Sequence, residues 1–454
     1  MQVLWAEQGL TADGWRKDLR VEIDAKGRIT DIRFGSAPEG DRFGVLLPAP
    51  TNLHSHAFQR SMAGMTEKRG PNPSDSFWTW RELMFRFLDQ LMPDDIEAIT
   101  AFVQMEMLEA GYAAVGEFHY LHHQSGGNPY TNSAELCERI AAAAQKTGIG
   151  LTLLPVLYEH GGCDGRPLGP GQIRFGNNLD QFENLLQGAK SAVSYLSADA
   201  NLGIAPHSLR AVSIDGLRAA VKLLPDKPLH MHVAEQIPEV DEVLAAWGKR
   251  PMNWLLQNFD VDKNWCLIHA TQMLPEETKS LAQSGAVAGL CPITESSLGD
   301  GIFDGKSYLN LGGRFGVGSD SNIRISLSEE LRTLEYSQRL RDHGRAVLAT
   351  KDASTGRVLF EGAAAGGAQA AGRDSGRIEV GALADLLALD STTIDLVGKE
   401  GDDILDSYIF CGDDSMVSDV WSAGRHLVHN GRHIEHESIA DAYRQTILSL
   451  TERI

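Results

Sequence analysis

Long apolar runs are missing from this sequence, and cysteine is scarce. No stretch approaches the roughly 20 consecutive apolar residues that a membrane-spanning helix requires. The N-terminal run MQVLWAE has no basic region and no apolar core, so it does not resemble a secretory signal. The five cysteines form no C-x-x-C pair and no regular framework. We therefore expect a cytoplasmic protein with reduced thiols, and neither a membrane protein nor a disulfide-stabilised secreted domain.

Basic residues are also few relative to acidic residues. The chain has 41 Lys and Arg residues against 61 Asp and Glu residues, which gives a formal net charge of -20 at pH 7. The electrostatic field of such a negative net charge repels nucleic-acid backbones and anionic membranes, so neither is expected as a partner. Gly305-Lys306-Ser307 resembles the end of a phosphate-binding P-loop, but Asp300 stands where that motif requires glycine. The G-x-S-x-G motif of serine hydrolases is absent as well.

The sequence does contain a repeated order of strand, loop and helix. Eight apolar segments have the length and composition of buried strands, at 47–56, 112–119, 150–158, 200–207, 227–233, 264–269, 285–293 and 314–320. Apolar residues at three- and four-residue spacing predict helices at 93–110, 133–146, 179–196, 214–224 and 275–284. Eight strands alternating with helices are typical of a (β/α)₈ TIM barrel, and a 454-residue chain with 43% apolar residues can build one.

The two chain ends follow a different pattern. Short strands and turns fill residues 1–47, and the same pattern returns from 376 to 425. An Ala- and Gly-rich segment at 346–371 should form helix in the outer ring of the barrel. We therefore predict an α/β fold, a TIM barrel with a small β-sandwich domain built from both termini. The predicted units are the small β domain at 1–47 and 373–436, the barrel at 48–372 and a C-terminal helix at 437–454.

Two histidines end the first predicted barrel strand, His54 and His56. Positions i and i+2 of a strand face the same way, so both imidazoles should point to one place at the carboxyl end of the strand. Neutral imidazole is a common ligand of zinc and similar ions, and this geometry suits a metal site. The alternative is a pair of polar residues in a strand-to-helix turn, which a motif this short does not exclude. Other ligands must come from elsewhere in the chain.

Further metal-binding and titratable residues lie where other predicted strands end: His207 at the fourth, His232 and Glu235 at the fifth, His269 at the sixth and Asp320 at the eighth. The carboxyl ends of all strands in a TIM barrel open onto one face, where active sites are built. The predicted ligands of one divalent ion are His54, His56, His232 and Asp320. Three nitrogens and one oxygen leave room for water on such an ion. The alternatives are a buried structural histidine for His232 and a helix cap for Asp320.

Together these motifs resemble the amidohydrolase superfamily, in its mononuclear deaminase branch, over most of the chain. The matching positions are the H-x-H at 54–56, the His-Val-Ala-Glu run at 232–235, His269 and Asp320. The resemblance implies a metal-dependent hydrolase with one ion, because 204–207 offers no lysine to bridge a second one. Four segments more narrowly resemble the formimidoylglutamate deiminases of histidine degradation, at 54–60, 117–120, 205–210 and 230–236. This implies hydrolysis of N-formimidoyl-L-glutamate to N-formyl-L-glutamate and ammonia, by a homodimer.

Catalytic roles follow from residue chemistry. A divalent cation lowers the pKa of bound water from about 16 toward 7, so that it attacks an sp² carbon bonded to nitrogen. Glu235 is placed to protonate the leaving nitrogen, the alternative being a surface acid. His269 should orient the water, the alternative being a ligand or a buried structural histidine, and either His269 or Asp320 can take the proton from the water. Zinc is the preferred ion, although ligand type alone does not separate zinc from iron.

Two arginines are candidates for binding a dicarboxylate in this otherwise acidic protein. Arg81 lies at the edge of an apolar helical stripe in 78–91, and Arg210 lies three residues after His207. Each can bind one carboxylate through paired hydrogen bonds, the alternative being a solvated charge or a structural ion pair. The resemblance adds three substrate contacts, Gln59, Tyr120 and His207.

Two other functions fit the sequence less well. A related deaminase acting on a nucleobase or nucleoside-like ring would favour stacking aromatics and amide groups over paired arginines. A non-catalytic barrel, serving as a scaffold or metal store, would not need Glu235 or His269.

Overall fold

A computed structural model of the chain describes residues 1–67 and 77–453, without the side chains of residues 77–79 and 81–83. The strands are β1 (Gln2–Thr11), β2 (Gly14–Ile23), β3 (Ile29–Arg33), β4 (Asp41–Pro48), β5 (Thr51–Ser55), β6 (Ala114–His119), β7 (Gly150–Leu157), β8 (Asn201–Leu202), β9 (Ala205–Pro206), β10 (Leu229–Val233), β11 (Trp265–His269), β12 (Val287–Leu290), β13 (Arg314–Val317), β14 (Leu386–Leu389), β15 (Val417–Ser422), β16 (Arg425–His429) and β17 (Arg432–His433). The α-helices are α1 (Phe77–Leu88), α2 (Pro93–Glu109), α3 (Glu135–Thr147), α4 (Leu179–Ser194), α5 (Ile214–Leu223), α6 (Ile237–Trp247), α7 (Pro251–Asn258), α8 (Pro275–Ser284), α9 (Pro292–Leu298), α10 (Gly305–Asn310), α11 (Leu327–Asp342), α12 (Thr355–Ala370), α13 (Asp402–Phe410) and α14 (His436–Arg453).

The middle of the chain forms a closed barrel of parallel strands. One arc runs from β5 through β6 and β7 to the short strands β8 and β9, and the other runs from β10 through β11 and β12 to β13. Parallel bridges join the two arcs, because Ser208 pairs with His232 and Ser55 pairs with Asp320. With β8 and β9 sharing the fourth position, the described residues supply eight barrel strands. The predicted TIM-barrel class is therefore confirmed.

The burial pattern explains why these segments form barrel strands. Every residue of β6, β7, β10 and β11 is buried, as expected for parallel strands packed between outer helices and an inner core. The helices bury one face each; α3, for example, buries Leu136, Ile140 and Ala144 at helical spacing. In the described part of the chain, no helix combines the length and apolar character needed to cross a membrane.

The two chain ends together form one mixed sheet. Its strand order is β17-β16-β15-β14-β4-β1-β2-β3, so N-terminal and C-terminal strands meet at the pair of β4 and β14. The N–H of Ile29 donates to the Ala382 carbonyl, and the N–H of Ala384 donates to the Gly27 carbonyl. These bonds tie the start of β3 to the segment just before β14, so the small domain built from both termini is one mixed sheet that curls back at this point. Its apolar core includes Leu4, Val21, Leu386 and Trp421.

Three local predictions differ from the structure. The strand expected at 47–56 is two strands, β4 and β5, because Pro50 has no N–H with which to continue a ladder. Residues 376–380, where the strand-and-turn pattern of the tail was expected to begin, contain no strand. Helix α13 lies within the tail that was expected to hold only strands and turns, since Ile404 and Tyr408 bury one helical face.

Candidate metal and catalytic site

The carboxyl-terminal rim of the barrel brings together four residues from three strands that are far apart in the chain. His54 and His56 lie at the end of β5, His232 lies on β10, and Asp320 follows β13. The N–H of Asp320 donates to the His54 carbonyl at 2.9 Å, and its own carbonyl accepts from the His56 N–H at 2.9 Å. These bonds belong to the contact that closes the barrel, so the fold itself holds Asp320 beside the histidine pair.

Side-chain atoms of these four residues converge. The Nε2 atoms of His54 and His232 are 3.1 Å apart. The Oδ1 atom of Asp320 lies 3.2 Å from His56 Nε2 and 3.5 Å from His54 Nε2. Each of the four residues is at most 6% exposed. Three imidazole nitrogens and a carboxylate oxygen in such proximity have the composition of a site for a divalent metal ion.

Backbone carbonyls orient two of the imidazoles. His56 Nδ1 lies 2.9 Å from the Phe118 carbonyl oxygen, and His232 Nδ1 lies 3.1 Å from that of His207. Because a carbonyl oxygen only accepts, each Nδ1 carries the proton and each Nε2 keeps a lone pair. The donor set therefore fits a metal ion, which needs that lone pair.

Burial sets the charge of these groups. It lowers the pKa of His54 to about 3 and holds the pKa of His232 well below its usual value, so both rings are neutral at pH 7. Burial alone would raise the pKa of Asp320, but the hydrogen bond with His54 and the charge of His269 outweigh burial and lower that pKa. Neutral imidazoles beside an ionised carboxylate are the protonation states that metal ligands require.

The rim contains several residues in a backbone conformation that side chains rarely adopt. Ala234, His269 and Asp320 have φ angles of 54°, 71° and 46°, in the left-handed region. Each ends or follows a barrel strand, where the chain turns from strand to loop. Such strain persists where the surrounding structure enforces it, typically at functional sites. The barrel, rather than local preference, therefore fixes the backbone of the rim.

A second group of titratable residues borders the four ligand candidates. His269 Nε2 lies 3.8 Å from Glu235 Oε1 and 3.8 Å from Asp320 Oδ2, while His269 Nδ1 lies 3.2 Å from Glu295 Oε1. Burial lowers the pKa of His269, but the Glu235 charge and the hydrogen bond with Glu295 outweigh burial and raise that pKa to about 10. Burial also raises the pKa of Glu235. A carboxyl group with a raised pKa is suited to donating a proton near neutral pH.

His56, His232, Glu235, His269 and Asp320 line one cavity, whose empty space is about 530 Å³ with its open mouth included. Four of the five predicted substrate contacts line it as well: Gln59, Tyr120, His207 and Arg210. Gln59 Nε2 donates to the Tyr120 hydroxyl at 2.7 Å. Arg210 is 6% exposed, and its Nη2 lies 3.9 Å from Glu235 Oε2. A buried guanidinium thus borders the same space as the candidate proton donor.

Arg81 is the fifth predicted substrate contact, and its side chain lies outside the described residues. Its helix, α1, nevertheless supplies Trp80 and Met84 to the cavity wall. The sequence did not single out three further wall residues, Thr294, Leu298 and Ser321.

Two acids that support the rim were also missed. Glu239 accepts hydrogen bonds from the N–H groups of Ala234 at 3.2 Å and Glu235 at 2.9 Å, and so anchors the loop that carries Glu235. Glu295 orients His269, as described above. Both acids lie in the first turn of a helix that directly follows a barrel strand, and α9 begins at Pro292. The sequence did contain a signal for these two acids, since a proline and an acid soon after a strand mark the first turn of a helix at the rim.

Two further histidines on barrel strands do not line the cavity. His230 Nε2 lies 2.8 Å from the carbonyl oxygen of Ala370, the last residue of α12. The His119 ring lies 5.3 Å from that of His122. Both histidines are buried, so we interpret them as structural.

Comparison with known proteins decides the family of the chain. Residues 45–427 match the model of the Amidohydrolase family. The chain belongs to the amidohydrolase family. Residues 1–42 of this amidohydrolase match the model named Formimidoylglutamate deiminase HutF, N-terminal domain. Formimidoylglutamate deiminase of Pseudomonas aeruginosa is 48% identical to this amidohydrolase, over 100% of each chain.

Solved structures place this amidohydrolase among its relatives. A crystal structure of an amidohydrolase from Brucella melitensis has a TM-score of 0.95 and 47% identity, covering 99% of this chain and 100% of that chain. An adenosine deaminase from Xanthomonas campestris, solved with bound zinc, has a TM-score of 0.81 and 19% identity over 99% and 98% of the two chains. The second likeness concerns the fold alone. Amidohydrolases are metal-dependent hydrolases, and the histidine cluster described above agrees with that dependence.

Proposed function

We propose that this protein hydrolyses the formimino C=N bond of N-formimidoyl-L-glutamate and releases N-formyl-L-glutamate and ammonia. The observation that carries this proposal is a buried arginine, Arg210, beside the acid Glu235 in the cavity of the histidine cluster. The arginine offers a binding site for a substrate carboxylate, and the acid offers a proton to the departing nitrogen. The full-length match to formimidoylglutamate deiminase of Pseudomonas aeruginosa supports the same substrate.

The metal site is the first part of the proposal. Its proposed ligands are His54, His56, His232 and Asp320. When bound, a divalent ion activates water as a nucleophile at neutral pH by lowering the pKa of the water from about 16 toward 7. Zinc is the proposed ion, because zinc accepts mixed nitrogen and oxygen ligands and because the adenosine deaminase of the same fold holds zinc. Elemental analysis of the purified protein separates zinc from iron.

The residues beside this site move the protons. Asp320 or His269 accepts the proton that water loses as its oxygen bonds to the formimino carbon. Glu235 donates a proton to the amidine nitrogen as water adds to the carbon. When the carbonyl forms, Glu235 recovers a proton from the new hydroxyl group, and the proton held by Asp320 or His269 passes to the nitrogen, which leaves as ammonia. One water is consumed and one ammonia is released. His269 faces the ligand group, so its protonated form is disfavoured once a divalent cation is bound.

The remaining wall residues hold the substrate. Gln59 and Tyr120 act as a hydrogen-bonded pair, and the Tyr120 ring lies 5.8 Å from the ring of His207. We propose that these three residues position the formimino group and its linker. Arg210 binds one carboxylate of the substrate, and Arg81 stays our prediction for the other.

A direct assay tests the proposed substrate. We expect ammonia release from N-formimidoyl-L-glutamate, and none from cytosine, guanine or adenosine, because the ring substrates lack a carboxylate for Arg210. A coupled glutamate dehydrogenase assay measures ammonia from each compound at equal concentration. Ammonia from a ring substrate, with none from N-formimidoyl-L-glutamate, would overturn the proposal in favour of the nucleobase alternative.

Replacing Arg210 by Met should mainly raise KM. We expect an increase of about a hundredfold, corresponding to about 3 kcal/mol, because two charge-assisted hydrogen bonds to a carboxylate are lost. The exposed Arg218 on α5 provides the matched control, and Arg218→Met should leave KM unchanged. Steady-state kinetics separate KM from kcat, and an unchanged KM in Arg210→Met would count against the dicarboxylate.

The remaining partner predictions keep their status as predictions. We propose a homodimer in the cytoplasm without nucleic-acid partners. Light scattering of the purified protein measures the oligomeric state, and cell fractionation measures the location.

A further inference from the structure

A second group of metal-ligating side chains lies in the terminal sheet, outside the barrel. Asp419 on β15 and His426 and His429 on β16 bring their ligand atoms within 4.8 Å of one another. We propose that these three residues bind a divalent transition-metal ion, with Zn²⁺ as the probe, separately from the ion at the barrel rim. This site needs neither the proposed substrate nor the proposed catalytic roles.

A local irregularity of the sheet creates the cluster. β15 and β16 are antiparallel, and their register shifts so that Leu427 is an extra residue on β16. His426 and His429 are three residues apart and would point to opposite faces of a regular strand. The bulge at Leu427 puts both histidines on the face that carries Asp419. A bulge changes the direction in which side chains point, and this bulge brings the three proposed ligands to one face of the sheet.

The side chains already contact one another. His426 Nε2 lies 2.8 Å from Asp419 Oδ1, and the rings of His426 and His429 have centroids 3.6 Å apart. Two imidazoles and a carboxylate this close together can share one bound cation.

The two rings differ in freedom. His426 stacks on Trp421 with centroids 4.2 Å apart and an interplanar angle of 18°, which holds its ring in place. His429 is exposed, so its ring can turn to bring a nitrogen toward a bound ion. Two imidazoles and a carboxylate make a three-ligand site that suits Zn²⁺, Cu²⁺ or Ni²⁺ and leaves a position for water.

The surroundings give an ion access and favour positive charge. The cluster borders an open groove that also carries two acids, Asp41 and Asp390, and one base, Arg42. The chain as a whole has a net charge of -20. Cations are concentrated near such a surface. Because two of its ligands are partly or fully exposed, this site should release its ion to a chelator before the buried site in the barrel does.

Metal analysis of the full-length protein tests the site. After equilibrium dialysis against excess Zn²⁺, we expect two ions per chain in the wild type and one in His426→Ala/His429→Ala. The single variant His429→Ala should also lose the weaker ion, and its exposed position makes misfolding a poor explanation for that loss. His343→Asn, at another exposed histidine, should keep both ions. Ammonia release should stay unchanged in all these variants, because none of the altered residues lines the catalytic cavity.

Two results would overturn the inference. One is a wild type that binds a single ion at every free Zn²⁺ concentration tested, with the double variant still binding that ion. The other is a second ion that persists in the double variant or disappears in His343→Asn. Neither result depends on the identity of the substrate, so a failure here is distinguishable from a failure of the proposed function.

Discussion

Glu235→Gln is expected to lower kcat by about 10²- to 10⁴-fold while the metal content stays unchanged. Glutamine keeps the size of the side chain and its hydrogen-bonding shape, but it cannot deliver a proton to the departing nitrogen. Glu235 lies 3.8 Å from His269 and is separate from the four converging ligand atoms, so a bound ion should stay. Ammonia release and elemental analysis on the same sample measure both quantities.

Glu242 provides the control for that substitution. It lies on α6, accepts a hydrogen bond from the Cys163 N–H at 3.2 Å, and does not line the cavity. Glu242→Gln should therefore retain nearly full activity. The role of Glu235 as proton donor would be wrong if Glu235→Gln kept more than a tenth of the wild-type kcat. A scaffold without catalysis would show no turnover even in the wild type.

His232→Ala is expected to remove both the metal and the activity, with a rate below about a thousandth of the wild type. His232 Nε2 lies 3.1 Å from His54 Nε2, and the substitution removes one of the three proposed nitrogen ligands. Chelation of the wild type should cause the same loss of activity. Added Zn²⁺ should restore the chelated wild type but not the variant, as followed by ammonia release during metal titration.

His160 offers a comparison for the loss of an imidazole. It follows β7 on the barrel and does not line the cavity. His160→Asn should keep its metal and its turnover. Full metal occupancy at the rim in His232→Ala would contradict the proposed ligand set.

The sequence predicted the barrel well because its strands are buried on both sides. Segments such as β7 and β12 therefore show as apolar runs without the alternation of a half-exposed strand. Once the strands were located, the barrel topology placed their ends on one rim. His54, His232 and Asp320 could thus be brought together although they are distant in the chain. The order of strands and helices was therefore enough to predict that these residues meet, without knowledge of side-chain contacts.

Other features depended on contacts that a sequence does not display. Helix α11 was not predicted, since it buries the acids Glu330 and Glu335 and so lacks a clear apolar face. The role of Glu295 follows from its distance to His269, which only the packed fold defines. The bulge at Leu427 depends on the register between two strands, and no residue type in the sequence predicts it.

The pairing of β4 with β14 has a consequence for biosynthesis. Val45 lies opposite Leu389, so β4 leaves the ribosome more than three hundred residues before its partner is made. At roughly 5–20 residues per second, one edge of an apolar strand stays uncovered for tens of seconds, with β1 shielding only the other edge. Bare strand edges recruit other chains. Polypeptides that end before Leu386 therefore lack the strand that covers this edge. We expect such fragments to be bound by chaperones, degraded or aggregated, and not to accumulate as free barrels.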